Sequence, residues 1–452
     1  MKKKRNLLNQ MLCLALCFSM VLSYAPMIVS AEETAVSGEC GDQATWNYDA
    51  ETKTLTIGGT GPMKDYLGLE VTPWDVYAND ITTIVIGEGI TRIGNSSFSD
   101  MTALTSISIS ETVAELGEYA ISSCDALESL CIPGSIKRIT KYSVSGCSRL
   151  QNLTLLEGVE EIEESAIVSC SVESVTIPSS VVSVSPSAFF LNPLQSITVA
   201  ENNQHYYSVD GVLFTKDKNL VRYPEAKMGT SYTVPEGTIG IGEEAFSYIQ
   251  NLESVELPNT VTYIGKYAFF GCQQLWEINI PSSVKSIGDS AFENCSGLTQ
   301  INISYGVTSI GTNAFSGCCF PSEFEIPGSV TSIGQGAFWF CSGLTQVTIP
   351  NSVTDIASDA FEYCDNIRDV YAPCRWKEYD DYPCDFPSNP YIIISEHTGS
   401  DSPTCLGKLC VACNLFYGEE VDPDNHATDD TDIRRIDDEY HGVYHSCCEV
   451  LV

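Results

Sequence analysis

The chain has 452 residues, 43% hydrophobic and 18% charged, with a formal charge of −36. A surface this acidic repels phosphate backbones and anionic headgroups, which argues against nucleic-acid binding and peripheral membrane attachment and in favour of cationic partners. Residues 1–31 open with Lys2, Lys3, Lys4 and Arg5, continue through an apolar run from Met11 to Val29, and end on the small-residue site Val29-Ser30-Ala31. This order is read as a secretory signal peptide, with cleavage leaving 59 acids against 19 bases. Pro26 and the cleavage site fit a permanent anchor poorly, and Leu16 before Cys17 fits a lipoprotein signal poorly. No later stretch approaches the ~20 apolar residues of a membrane span. The expected protein is exported, secreted or at the cell surface, with no membrane insertion after cleavage.

Residues 32–80 are expected to form an N-terminal β cap. Trp46 to Asp49 and Leu55 to Gly61 read as two strands around a polar turn, followed by Pro73-Trp74. From residue 81 to 373 one unit recurs. Its closing aliphatic falls at Ile86, Ile109, Ile132, Leu155, Ile177 and Val199, then from Val234 through Leu257, Ile280, Ile303, Ile326 and Ile349 to Ala372. Most steps are 23 residues, two are 22 and one is 35. A fixed period of this length implies stacked coils around one continuous core, a β-rich solenoid.

Each unit divides into slots. Leu-x-x-Ile-x-Ile, as in Leu298–Ile303, alternates with the period of a strand. Val-x-x-Ile is a second short extended piece. The residue before the Phe slot is always small, from Ser97 and Ala120 to Ala360, which implies close approach between coils. The glycine after the second Ile is replaced by Thr140, Glu163, Ser185 and Ala357, so that position needs no positive φ. Three residues after the Phe slot comes Cys, at 124, 147, 170, 272, 295, 318, 341 and 364, with Met101, Asn192 and Ile249 as exceptions. The slot is read as a small buried hydrophobe. Disulfides between neighbouring coils are not excluded by distance alone.

The 35-residue step holds an insertion at about 200–233, with Asp210-Gly211 as a hairpin turn signal. It is expected to project from one edge, its aromatics either packed on neighbouring coils or offered as a contact surface. Residues 374–395 read as a closing cap or linker in which Cys374 and Cys384 could pair. Residues 396–452 form an acidic tail with Cys and His. There Cys410, Cys413, His426, His445 and Cys447 are candidates for a structural zinc site, with disulfides as the rival. The acidic run from Asp422 to Asp432 lacks the glycine and Glu of a calcium-binding loop.

The repeated Ile-Pro-x-Ser-Val-x-x-Ile-Gly-x-x-Ala-Phe-x-x-Cys-x-x-Leu pattern resembles the BspA-type leucine-rich repeat family of bacterial surface and secreted proteins. The resemblance spans about 290 residues of repeats. It extends to Gly38-Glu39-Cys40-Gly41, Trp46 and Pro73-Trp74, and to the inserted Val209–Phe214 with Arg222-Tyr223-Pro224. It implies adhesion to other proteins, host extracellular-matrix or plasma proteins among them, and no cofactor. The tail shows no sorting signal or wall-binding repeat.

Catalysis finds little support. All five histidines lie in the insertion or tail, so the repeats alone offer no Ser-His-Asp arrangement. His441 and His445 have the spacing of a metalloprotease without the Glu beside the first His. Binding is expected along the outward positions of the strands, which are hydroxyl-rich in the first half. In the second half they are acidic or amide-bearing: Glu277, Gln300, Glu323, Gln346 and Asp369 in one lane, Glu256, Asn279, Asn302, Glu325 and Tyr371 in its neighbour. The alternative role is a structural envelope component or extracellular assembly scaffold.

Overall fold

In a computed structural model of the chain, residues 36–68 and 70–372 are described, together with strand segments at 391–394, 433–435 and 442–445. The segment read as a signal peptide, Cys374, Cys384 and most of the expected tail lie outside the described residues. Alternation decides the first face of the solenoid. In Glu277–Ile280, Ile278 and Ile280 are buried while Glu277 and Asn279 point outward. The next coil sets Gln300–Ile303 parallel beside it, Glu277 opposite Gln300 and Asn279 opposite Asn302. Thirteen such strands follow one another, from Thr83–Ile86 to Asp369–Ala372. A second face is built from two-residue strands such as Ser286–Ile287 and Ser309–Ile310, paired in parallel.

The third face carries the Phe slot. After the insertion, Phe246, Phe269, Phe292, Phe315, Phe338 and Phe361 are fully buried and stack face to face, with centroids 4.7–5.6 Å apart. Before it, Phe98 and Phe189 bracket Ile121, Val144 and Ile167 in the slot, and the coils from Phe98 to Ile167 form a short parallel sheet. Close approach at the small residue is confirmed: Phe246 N–H donates to the Ala268 carbonyl at 2.7 Å, and Phe292 to Ala314 at the same distance. Only a side chain as small as Ala or Ser leaves room there.

Two residues flanking the Phe slot adopt left-handed backbone in most coils, and most are not glycine. Tyr267 (φ 54) and Ser290 (φ 52) lie two before it, Tyr248 (φ 60) and Asn294 (φ 59) two after. Such a conformation costs about 1 kcal/mol or more for an L-residue. Each turns its N–H onto the next coil, Tyr267 to Asp289, Ser290 to Thr312, Tyr248 to Phe270 and Asn294 to Ser316, at 2.7–2.9 Å. The inter-coil hydrogen bonds offset the strain. The Ile-Gly glycine does avoid positive φ, but a Cβ on Gly288 would stand 2.7 Å from the carbonyl carbon of Gly265. Close packing, not backbone angle, selects glycine there.

The cysteine slot does more than fill space. Cys272, Cys295, Cys318, Cys341 and Cys364 each donate the thiol to the Phe-slot carbonyl of the preceding coil, at 2.9–3.2 Å. Asn192 makes the equivalent bond to Ile167 at 2.9 Å. Met101 and Ile249, which cannot donate, occupy the first coil and the first coil after the insertion, where no regular Phe-slot carbonyl precedes them. All eight slot cysteines are free. Burial pushes the Cys272, Cys295 and Cys341 thiols well above their ordinary range, which suppresses the reactive thiolate. All eight slot thiols are buried out of reach of reagent, so iodoacetamide is expected to leave them untouched in the native protein. After unfolding without reductant, peptide mass spectrometry is expected to find all eight alkylated.

The insertion corrects the expectation of a projecting hairpin. Tyr206–Val209 and Val212–Thr215 pair around Asp210 and Gly211, whose φ values of 50° and 76° suit a tight two-residue turn. Asn219–Arg222 then pairs antiparallel with Val212–Thr215 and parallel with Gly240–Ile241, joining the second face of the later coils. Successive residues face opposite cores: Leu213 and Val221 pack with the earlier coils, Val212, Phe214 and Leu220 with the later ones. The three strands thus form a partition between two stacks. Tyr206 ties it to the first stack by accepting the Val184 N–H at 3.0 Å. Arg222, with a side chain 5% exposed, ties it to the second, donating to the Glu244 carbonyl and the Ser247 hydroxyl while pairing with Glu225 at 2.5 Å.

At the N-terminus, β1 (Val36–Glu39), β2 (Ala44–Asp49) and β3 (Thr54–Gly59) run antiparallel, and β3 then pairs in parallel with Thr83–Ile86. Trp74, fully buried, packs against Trp46, Tyr66 and Phe98 and donates its indole N–H to the Ser97 carbonyl at 3.1 Å. No helix among the described residues is long and apolar enough to cross a membrane.

Candidate protein-binding faces

The ten outward residues expected on the second half of the first face are all half-buried or exposed, each flanking a buried or, for Gln300, half-buried aliphatic or aromatic residue. Ladder pairing brings Glu256 beside Asn279 and Asn279 beside Asn302 in one lane, and Glu277 beside Gln300 in the other. It also brings Glu323 beside Gln346, Gln346 beside Asp369, and Glu325 and Tyr371 to either side of Thr348. The two groups are not one sheet. Gln300–Ile303 and Glu323–Glu325 belong to separate sheets, and just before the second of them Pro321 stands where neighbouring coils have Leu298 and Leu344, whose N–H groups close a turn onto the Cys295 and Cys341 carbonyls at 3.0 and 3.2 Å. Phe320 turns in instead, 3% exposed, against Phe315, Phe324 and Phe338. The continuous lane expected from the period is two patches.

Within them, Thr233 Oγ1 donates to Glu256 at 3.1 Å. Burial, with the carboxylates of Asp369 and Glu323, pushes the Tyr371 hydroxyl up. These groups offer acceptors and negative charge on a fixed strand spacing.

A second feature was not legible from the strand pattern. On the third face, a groove with a cavity volume of 780 Å³ runs across coils on both sides of the insertion, from Tyr142 to Asn313. Phe190, Tyr248, Phe270 and Tyr267 touch in series along it, at centroid distances of 5.5, 5.2 and 5.5 Å. Glu164, Glu244 and Glu293 are its only charged lining residues. The signal for it lies in slots beside Phe, where Phe190, Tyr248 and Phe270 replace the Ser or Gly of other coils.

On the second face of the first stack, bases and acids interleave between coils: Lys137–Glu160, Arg138–Glu161 and Lys141–Glu164, at 2.6–3.3 Å. Side-chain exposures of 38–61% make each pair a small contribution. Among the described residues, no group of three or more His, Cys, Asp or Glu side chains is placed to hold a metal. Cys410, Cys413, His426 and Cys447 lie outside the described residues, and His445 is described only as the backbone end of the strand Gly442–His445.

These faces define a parallel β solenoid of leucine-rich repeats, an architecture whose working parts are surfaces. The chain belongs to the BspA type leucine rich repeat region family, whose model matches in six copies over residues 76–195, 228–322 and 313–383. As a member of that family it is a non-catalytic interaction module. The matched segments stop at 195 and resume at 228, leaving the partition strands between them. A leucine-rich repeat protein from Eubacterium ventriosum superposes with a TM-score of 0.56 at 25% identity, over 73% of this chain and 95% of its own. The pneumococcal vaccine antigen PcpA superposes with the same score at 19% identity, over 81% and 100%. Among curated proteins, no sequence relative matches.

Proposed function

We propose that this is a secreted or cell-surface protein that adheres to another protein, of the host matrix or plasma, through the later strands of its first face. The supporting observation is the two outward patches, where register holds Glu277, Glu323, Glu325 and their amide neighbours at strand spacing on a preformed surface. A preformed surface loses little conformational entropy on binding, so its contacts go into affinity. In the same reading β1–β3 cap the first coil, whose core would otherwise face water. The signal-like segment at residues 1–31 would deliver the chain outside the cell.

The test is the triple variant Glu277→Lys, Glu323→Lys, Glu325→Lys in the mature chain. These side chains are exposed or half-buried, so circular dichroism should match wild type. Binding to the partner recovered from matrix and plasma proteins should fall at least about tenfold, since like-charge juxtaposition at an interface costs several kcal/mol. Unchanged affinity would remove the first face from consideration.

A further inference from the structure

We infer that the groove on the third face is a second binding site, separate from the strand face, that takes an extended basic segment of a partner protein. Its lining contains three carboxylates and no cation; Glu164 is paired with Lys141 at 3.1 Å, while Glu244 and Glu293 make no ion pair among the described residues and carry the free charge. The aromatic series Phe190, Tyr248, Phe270 and Tyr267 lies between them, with Tyr248 46% exposed. Carboxylates beside open ring faces recognise ammonium and guanidinium groups by charge and by cation–π attraction together. The rings already show this preference within the chain. Lys266 Nζ sits 4.8 Å from the Tyr267 centroid, and Lys141 Nζ 5.1 Å from that of Tyr142.

The occupant is a segment and not a compact cation because of the groove's form. Its lining residues come from three coils before the partition and four after it, a run of roughly 30 Å or more at the ~4.8 Å spacing of strands, long enough for about nine extended residues. Small side chains keep the floor low: Ser165, Ser187, Ser247 and Ser290 line the groove, and Ser165, Ser247 and Ser290 are buried. Arg222 and Ser247 hold the floor to the partition strands at 2.9 Å, so the site is fixed before any partner arrives.

The probe is a fluorescein-labelled nonapeptide alternating Lys and Leu, with an alternating Glu and Leu peptide as control, titrated into the mature chain and followed by anisotropy. An acidic protein attracts any cation, so the decisive comparison holds net charge constant. Glu244→Gln with Glu293→Gln should weaken the basic peptide about tenfold, whereas Glu277→Gln with Glu325→Gln, the same change in charge, should weaken it less than about threefold. Tyr248→Asn changes no charge and tolerates the left-handed backbone at that position; it should weaken binding about threefold or more. Equal loss in the two charge-matched pairs would mean diffuse attraction and overturn the proposal, as would no binding of the basic peptide. Free choline displacing the peptide at equal or lower concentration would overturn the segment in favour of a small-cation site. The partner assay for the strand face uses different residues, so either site can fail alone.

Discussion

Replacing Arg222 by Met is expected to lower stability by about 3–5 kcal/mol at neutral pH, because it strands a buried carboxylate. The Arg222 and Glu225 side chains are 5% and 17% exposed. Burial raises Glu225 above its ordinary carboxylate value of 4.5, and the facing guanidinium and a backbone N–H from Leu191 only partly counter it. Without Arg222 that countering charge is lost and the raised value climbs further. A carboxyl raised in the folded state stabilises while protonated, below its unfolded value, and loses that contribution as pH climbs through the folded value. The deficit of Arg222→Met against wild type should therefore be greatest at pH 7–8 and shrink as pH falls toward 4.5. Urea midpoints measured across that range provide the check, and a deficit independent of pH would contradict the assignment to Glu225. Adding Glu225→Leu should recover most of the loss, since an apolar pair of similar volume often matches a buried ion pair. Recovery should stop short of complete, because the Glu244 carbonyl and Ser247 hydroxyl still lose the donor they share.

Phe292→Ala is the second large effect, about 3–5 kcal/mol. Phe292 is fully buried and stacks on Phe269 at 4.9 Å and Phe315 at 5.2 Å, so truncation opens a void between two rings that the backbone spacing holds apart. Phe292→Leu should recover much of it. In a solenoid each coil is stabilised by its neighbours, so the break should divide unfolding, the coils beyond residue 292 melting before those that precede it. Fluorescence of Trp339 against that of Trp74, in urea, reports the two regions separately; a single coincident transition at the wild-type midpoint would refute the role of the ladder.

The sequence made the coil legible because its slots repeat. Glu277, Asn279 and Gln300 were placed outward by alternation alone, and Ala291 was assigned close approach from its invariance within the chain. What alternation could not show was where the stack stops being regular. The first face breaks at the coil where Pro321 replaces the usual Leu and cannot close that turn with an N–H, a single substitution inside an otherwise faithful unit. The partition escaped because Val212–Thr215 carries apolar residues on both sides, and a strand buried on two faces shows no period. The groove escaped because its rings come from non-strand slots in coils separated by the insertion. The left-handed positions escaped because Tyr267 and Ser290 fill them, not Gly.

The donor in the cysteine slot has a consequence for how such a chain can change length. From Cys272 to Cys364 each coil hands one thiol backward and offers one carbonyl forward, so cutting out residues 270–292, one whole unit, would leave Cys295 facing the carbonyl of Phe246 in place of that of Phe269. Units of this kind are interchangeable at their seams, and the family can lengthen or shorten its reach by duplication without inventing an interface. The partition is the exception. Ile249 and Met101 give nothing backward, so each marks a point where a stack must begin, and the 35-residue step can be neither copied nor deleted as a unit without leaving two cores unsealed.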